Sequence, residues 1–334
     1  MRFRFEIAQP SDDSALRRLL AETPMEGRLS LAFHREPNYF AANTVLGPGH
    51  ETLVCRDLHR NKIVGLATRS VRGMYVGGEV QRIGYLSSLR YTPEVRRQGL
   101  LAHGFRFLRE VHDADDSAPA FYLTTLAEDN AVALAQLTSG RAGLPRYHFL
   151  SRLHTLVLPI RRRWLKPPAP ASARLAAGVG SPSSDEVLAL LNQTGPQRSF
   201  FPEYAPFDFE SSGTFAGLTS SDIAVIRRDD RIAGIAGLWD QRSFRQTVIH
   251  GYDFTTRCLR PFVNAWARLS GGIRLPPPGS ALPSCFIAFP TVIDSRGRVL
   301  RPPPREEVPG ELRGSPVSSG VVRGRARVLH SAEE

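Results

Sequence analysis

The feature that most constrains this 334-residue chain is the stretch from Arg82 to Glu110. Ile83 to Tyr91 is rich in β-branched, aromatic and leucine residues and reads as a strand. Pro93 stops it, because proline cannot donate to a sheet ladder and fixes its own φ. A short basic turn follows, Arg96-Arg97-Gln98-Gly99, and then Leu100, Leu101, Phe105 and Leu108 recur at helical spacing. The start of a helix leaves backbone N–H groups without partners, so this strand-turn-helix already offers a place for an anion. Two arginines supply charge there, and Gly99 allows close backbone approach, a combination suited to a diphosphate.

Elements before and after this stretch extend the pattern. Phe3, Phe5 and Ile7 alternate with Arg2, Arg4 and Glu6 as a half-buried strand, and Ser11 or Asp12 can cap a helix through Leu16, Leu19 and Leu20. Residues 24–50, with Phe33, Tyr39 and Phe40, read as a helix or loop laid over a pocket. Glu51–Arg56 and Lys62–Val71 form a hairpin, and Glu79–Leu89 makes a third antiparallel strand. After the helix, Phe121–Leu126 returns as a strand. A second helix starts near Asn130, with Ala133, Leu134 and Leu137 facing inward and Gly140 as its stop. Tyr147 and His148–Leu158 complete the sheet. The fold class expected is α/β: a mixed, mostly antiparallel central sheet flanked by helices, plus a second, smaller α/β region.

The turn Arg96-Arg97-Gln98-Gly99-Leu100-Leu101 resembles the Gln/Arg-x-x-Gly-x-Gly/Ala motif of GNAT superfamily N-acetyltransferases. The order of elements over about residues 3–158 and the Asn130 helix resemble that family as well. The resemblance implies acetyl-CoA as cosubstrate and direct attack by a primary amine. The strand end Leu89-Arg90-Tyr91 would hold the pantetheine and thioester carbonyl. Arg96, Arg97, Gln98, Gly99, Leu100 and Leu101 would hold the pyrophosphate, and Asn130 would sit near the pantetheine arm. Two positions depart from the pattern. Leu101 stands where a small residue is usual, with Ala102 next to it, and Leu137 stands where the family's proton-donating tyrosine falls. Leucine cannot donate a proton, so that role is vacant or belongs to another group. For the base or water relay the candidates are Glu79 and Tyr85, which alternate in register with Gln81, Ile83 and Ser87 so that one face of the strand carries several polar residues, or Glu128. The alternative reading is a catalytically weak acyl-CoA-binding or regulatory module.

Composition narrows the remaining classes. The net charge of +11 is concentrated, because residues 151–180 carry 6 basic residues and no acidic one. That segment is rich in Pro and Ala, as a solvated linker is, and we place the linker at 159–182. With no aromatic-basic interleaving, nucleic acid is not an expected partner. No run approaches the roughly 18 apolar residues of a membrane helix, and the start lacks an apolar signal core, so a cytoplasmic protein without a membrane partner is expected. Three dispersed cysteines and nine histidines without ligand spacing suggest neither a disulfide framework nor a metal. No Gly-x-Ser-x-Gly elbow and no phosphate-binding Gly-rich loop with Lys-Ser/Thr is present. The expected acceptor is a small-molecule or protein amine of unknown identity.

Beyond the linker, residues 183–295 read as a second α/β region. It has a helix capped near Ser184, two strands at Asp222–Arg227 and Arg231–Trp239 around the turn Arg228-Asp229-Asp230, and a last strand at Phe286–Ile293. The hairpin echoes the first one, as an incomplete second GNAT-like half would. Residues 296–334 read as a tail in which Gly314, Pro316, Ser318, Gly320 and Gly324 resemble the opening of the mobile phosphohistidine domain of PEP-utilising enzymes. That resemblance implies a truncated fusion, since His330 does not match the phosphorylated histidine by position.

Overall fold

The computed structural model describes residues 2–27, 29–96, 98–128, 130–141, 143–158, 182–228, 231–270, 272, 274–294, 296–300 and 322–332. Its centre is an eight-stranded mixed sheet with strands β1 (Phe3–Ile7), β3 (Gly49–Asp57), β4 (Lys62–Val76), β5 (Glu79–Tyr91), β6 (Phe121–Ala127), β13 (Val322–Ala332) and β7 (Tyr147–Val157) in that spatial order. The eighth, β8 (Phe201–Pro202), pairs with the far end of β4. All neighbours are antiparallel except β5 and β6, which run parallel. The mixed, mostly antiparallel sheet flanked by helices is the architecture expected from the sequence.

Alternation along the strands assigns each face to a helix. On β3, Val54 packs with Leu16, Leu19 and Leu20 of α1 (Asp13–Glu22), along with Tyr39, Ile63 and Leu66. Its neighbour Cys55 points the other way, into a cluster with Val64, Val95, Phe5, Tyr91 and Leu100 of α2 (Leu100–Asp113). The residue preceding α1 is Asp12, and its carboxylate accepts from Gln9 N and from Arg56. A third helix, α3 (Ala131–Leu137), follows β6 and is capped by Asn130, whose side chain accepts from Ala133 N at 3.1 Å.

Two parts of the chain lie elsewhere than the sequence suggests. Residues 24–50 contain β2 (Leu29–His34) and a 3-10 turn at Phe40–Leu46. β2 pairs with β11 (Gln246–Tyr252), which belongs to the C-terminal half. The tail set apart at 296–334 contributes an internal strand: β13 lies between β6 and β7, pairing with both. The Gly, Pro and Ser positions that set the tail apart say nothing about which strands it would pair with. The linker residues 159–181 and the Gly314, Pro316, Ser318 and Gly320 positions lie outside the described residues.

The second region is built on α4 (Ser184–Thr194) and a three-stranded sheet, β9 (Ile223–Arg228), β10 (Arg231–Trp239) and β12 (Phe286–Val292), with β10 in the middle. Val187, Leu190 and Leu191 of α4 pack on Phe215, Ile235, Trp239 and Phe289. The helix cap is Ser183, one residue earlier than expected, in a capping box with Glu186. Asp229 and Asp230 of the hairpin turn lie outside the described residues. An element the sequence reading lacks is α5 (Phe254–Ser270), which carries Pro261 in its interior.

Candidate active site

The parallel pair β5–β6 is joined over three residues only: Gly84 opposite Tyr122, Tyr85 opposite Leu123 and Leu86 opposite Thr124. Thr124 Oγ1 donates to Leu86 O at 2.9 Å as the last link. Beyond it the two strands diverge. On its other side β5 stays paired with β4, from Thr68–Ser87 to Gly65–Tyr91, through a bulge at Ser88-Leu89. Ser88 adopts a positive φ of 58° there, a conformation that a non-glycine residue holds only under constraint. The β6-facing backbone of β5 past Leu86 is therefore not used by β6.

The gap holds a small inner cavity of about 180 Å³. Its walls are Leu86–Tyr91 of β5, Thr124–Leu126 of β6, Leu101, Gly104, Phe105 and Leu108 of α2, Asn130, Ala133 and Leu137 of the α3 region, and Tyr147 at the start of β7. A larger cleft of about 990 Å³ adjoins it, sharing Leu89, Arg90, Tyr91, Leu101, Asn130 and Ala133. Its outer end is formed by Arg96, Gly99, Leu100, Ala102 and Arg141, with Thr23–Glu26 opposite. Gly99 is the residue preceding α2, at φ 69°, and a Cβ there would meet nothing within 4 Å. Glycine is used for its backbone conformation, and space is left in front of the helix N-terminus.

Electrostatics within the site follow burial. Burial lowers the pKa of the Arg90 guanidinium. One of its N–H groups donates to Leu89 O at 2.8 Å. Burial raises the Tyr91 and Tyr147 hydroxyls, with the nearby Cys55 thiol adding to the effect at Tyr91. Tyr91 Oη donates to Leu100 O at 3.4 Å. Tyr147 packs edge-on to Phe105, with ring centroids 6.4 Å apart.

Of the residues nominated from sequence, Leu89, Arg90, Tyr91, Leu101 and Asn130 line both spaces, and Arg96, Gly99 and Leu100 line the outer cleft. Arg97 lies outside the described residues. Gln98 is exposed and turns back, donating to Glu94 O at 3.1 Å. The structure does not bring Glu79 or Tyr85 to the cavity. Glu79 is exposed at the β4–β5 hairpin end, opposite Val76. Seven residues separate it from Leu86, roughly 23 Å along an extended strand. Tyr85 packs with Ile83, Leu123, Met74, Val76, Phe121 and Phe200, away from the cavity lining. The polar alternation that nominated both comes from a strand whose far end is solvated. Glu128 pairs with Arg152 at 3.4 Å and is likewise absent from both linings.

Leu137, 5% exposed, contributes its side chain to the cavity wall, and Tyr147 stands in the same wall. The sequence marks Tyr147 only as part of a closing strand. The bulge at Ser88 has no sequence signal, since serine is not a residue that favours positive φ. Among the described residues, no group of three or more His, Cys, Asp or Glu is placed to hold a metal ion. No helix among them is long and apolar enough to cross a membrane.

No family model and no curated protein matches the sequence. Among solved structures, the chain is similar to Arabidopsis thaliana NAA60 in complex with acetyl-CoA, at 15% identity and TM-score 0.32, over 46% of this chain and 88% of that one. It is similar to an acetyltransferase of the GNAT family from Streptococcus pneumoniae, at 15% identity and TM-score 0.33, over 46% and 88%. It is also similar to glucosamine-6-phosphate N-acetyltransferase from Arabidopsis thaliana, at 14% identity and TM-score 0.32, over 41% and 90%.

Proposed function

We propose that this chain is an N-acyltransferase that moves an acetyl group from acetyl-CoA to a primary amine by direct attack. The observation that carries the reading is the three-residue β5–β6 junction, which opens an apolar cavity running into a cleft at the N-terminus of α2. A thin apolar arm ending in a diphosphate matches that shape: narrow and apolar within, wide and cationic at the helix start.

The residues divide the work as follows. The open β6-facing edge of β5 from Ser87 to Leu89 supplies backbone groups that pair with the amides of the arm, as a further strand would. Gly99 and the first turn of α2, with Arg96, hold the diphosphate by N–H groups and charge. Asn130 has its side-chain oxygen committed to Ala133 N, which leaves its amide N–H groups to donate into the cleft. When bound, acetyl-CoA supplies an activated acyl group on a good leaving thiolate. Tyr147, kept protonated by burial, stands in the cavity wall to give that thiolate its proton, the role Leu137 cannot fill. Among the described residues the inner cavity lining contains no carboxylate and no histidine, and in this reading the proton of the amine leaves to water.

We read Val322–Ala332 as the sheet's own strand and take no phosphotransfer role from the tail. A second reading, an acyl-CoA-binding module without turnover, is favoured by Leu137 in the cavity wall. Calorimetric titration with acetyl-CoA tests both: no binding at sub-millimolar ligand would sink them together. Thiol release from acetyl-CoA with a pool of primary amines separates them, because the binding module releases none above hydrolysis.

A further inference from the structure

On the α1 side of the splay, two arginines come near each other, and among the described residues neither is paired with a carboxylate. Arg35 is 6% exposed and follows β2 directly. Its Nη1 donates to Asn43 Oδ1 at 2.5 Å, its Nη2 to Ser88 Oγ at 3.4 Å, and its guanidinium stacks 4.4 Å from the Tyr39 ring centroid. Ser88 is the bulge residue of β5 and lines the inner cavity, so Arg35 is one hydrogen bond from the proposed reaction site. Arg245 precedes β11. The last rung of the β2–β11 ladder pairs His34 with Gln246, which sets Arg245 opposite Arg35. The side chain of Gln246 locks that register, accepting from Glu36 N at 3.1 Å and donating to Glu36 O at 2.9 Å.

Like charges directly opposite on paired strands destabilise each other, and a buried cation normally has an anion beside it. Here the nearby carboxylates are engaged elsewhere. Glu36 and Asp13 pair with Arg17, and Glu51 pairs with Arg69. The partner of Arg245 is the neutral Gln241, which accepts from its Nη1 at 3.3 Å. Burial and the charge of Arg35 push the Arg245 guanidinium down to about 10. Two further polar atoms of this region are buried without a hydrogen-bond partner. One is Tyr39 Oη, beneath Arg35, and the other is Thr68 Oγ1, in the wall of the inner cavity. Buried polar atoms left unmatched in this way call for a partner, which an ordered water or a bound ligand would supply.

We propose that Arg35 and Arg245 form an anion subsite, and that the acceptor is an amine carrying a carboxylate or phosphate group. This rests on the acetyl-transfer reading and deepens it. The guanidiniums hold the anionic end of the acceptor while its amine reaches past Ser88 to the thioester. They discriminate against neutral amines, because an uncharged acceptor leaves the buried Arg35 and the half-buried Arg245 without an anion.

The test uses the full chain saturated with CoA, so that the diphosphate site is filled. Calorimetric titration with N-acetylglycine and with inorganic phosphate is expected to show binding of at least one of them, and the two arms separate a carboxylate from a phosphate site. Arg245→Met is expected to weaken that binding at least tenfold, and Arg245→Lys to restore part of it, with the affinity for acetyl-CoA unchanged. Arg245 is chosen because Arg35 is the more deeply packed of the two. In turnover, glycine should exceed glycinamide, or phosphoethanolamine exceed ethanolamine, by at least tenfold in kcat/KM, and Arg245→Met should erase the preference. Neither anion binding to the CoA complex, or binding that Arg245→Met leaves intact, overturns the subsite. Failure of acetyl-CoA itself to bind overturns the acetyl-transfer reading instead.

Discussion

Replacing Arg69 with methionine should unfasten the junction that holds the cleft. Arg69 lies on β4, 4% exposed, and donates in three directions: Nε to Tyr122 Oη at 2.8 Å, Nη1 to Glu51 at 2.7 Å and Nη2 to Asp115 at 2.5 Å. One guanidinium thus ties β3, β4 and β6 to the segment after α2. Tyr122 is also the partner of Gly84 in the parallel junction, where a Cβ on Gly84 would come within 2.2 Å of the tyrosine ring. Methionine fills much of the volume but removes the guanidinium from Glu51, Asp115 and the Tyr122 hydroxyl, the last two keeping their bonds to Ser117 and His112. Breaking a buried ion pair from one side costs about 3–5 kcal/mol. Glu51 and Asp115 keep 37% and 24% of their side-chain surface and can rehydrate, which favours the lower end, about 3 kcal/mol.

The assay is urea denaturation at pH 7 followed by tryptophan fluorescence, with Arg242→Ala as the control. Arg242 and Asp240 form an exposed pair, at 52% and 49% side-chain exposure, and such pairs contribute about 0–1 kcal/mol. A pH series adds an independent reading. The bond from Arg69 lowers the Asp115 carboxyl to about 2. Its contribution to stability is therefore complete above the unfolded value of about 4 and is lost as the pH falls toward 2. In Arg69→Met that part of the acid slope should shrink to what the two Ser117 hydrogen bonds to Asp115 still supply. A loss no greater than that of Arg242→Ala, with the acid slope unchanged, would refute the clasp.

Three further perturbations probe the site. Gly99→Val forces a β-branched residue into the left-handed region at a cost of about 1–2 kcal/mol, and acetyl-CoA affinity by calorimetry should fall roughly tenfold. Tyr147→Phe should lower kcat by about 10²-fold or more while the dissociation constant for acetyl-CoA holds, and an unchanged kcat removes Tyr147 as the acid. Cys55 is buried with its thiol pushed up to about 12, whereas Cys258 and Cys285 are exposed, so a thiol reagent should label two cysteines in the native chain and three after unfolding.

Where the sequence could be read, a local rule sufficed. Period-two alternation identifies β1, hairpin spacing β3 and β4, and residue content β5, and the glycine before Leu100 marks the start of α2 because it must hold a positive φ. Asn130 caps α3 by the ordinary preference of asparagine for that place. What escaped depends on partners distant in sequence. Alternation cannot say that Val322–Ala332 enters between β6 and β7, or that β11 pairs with β2. Pro261 interrupts the pattern of α5, which nonetheless runs helical from Phe254 to Ser270. Glu79 and Tyr85 were nominated because polar residues alternate along β5, but alternation assigns a face and leaves open how far along the strand the chemistry lies.

The insertion of β13 also explains why the cleft stays open. An unpaired strand edge is a strong acceptor for its neighbour, so β5 and β6 would be expected to zip together past Leu86. Two constraints prevent this. The bulge at Ser88-Leu89 turns β5 while its pairing to β4 continues, and β6 is committed on its other side to β13 along its whole length, from Phe121–Ala332 to Ala127–Ala326. With β6 held by β13 and β5 by β4, the two can touch only where the twist brings them together, at Gly84–Leu86. The gap is then a property of the whole sheet, and the residues that would bind acetyl-CoA act on an opening that strands far from it in sequence keep in place.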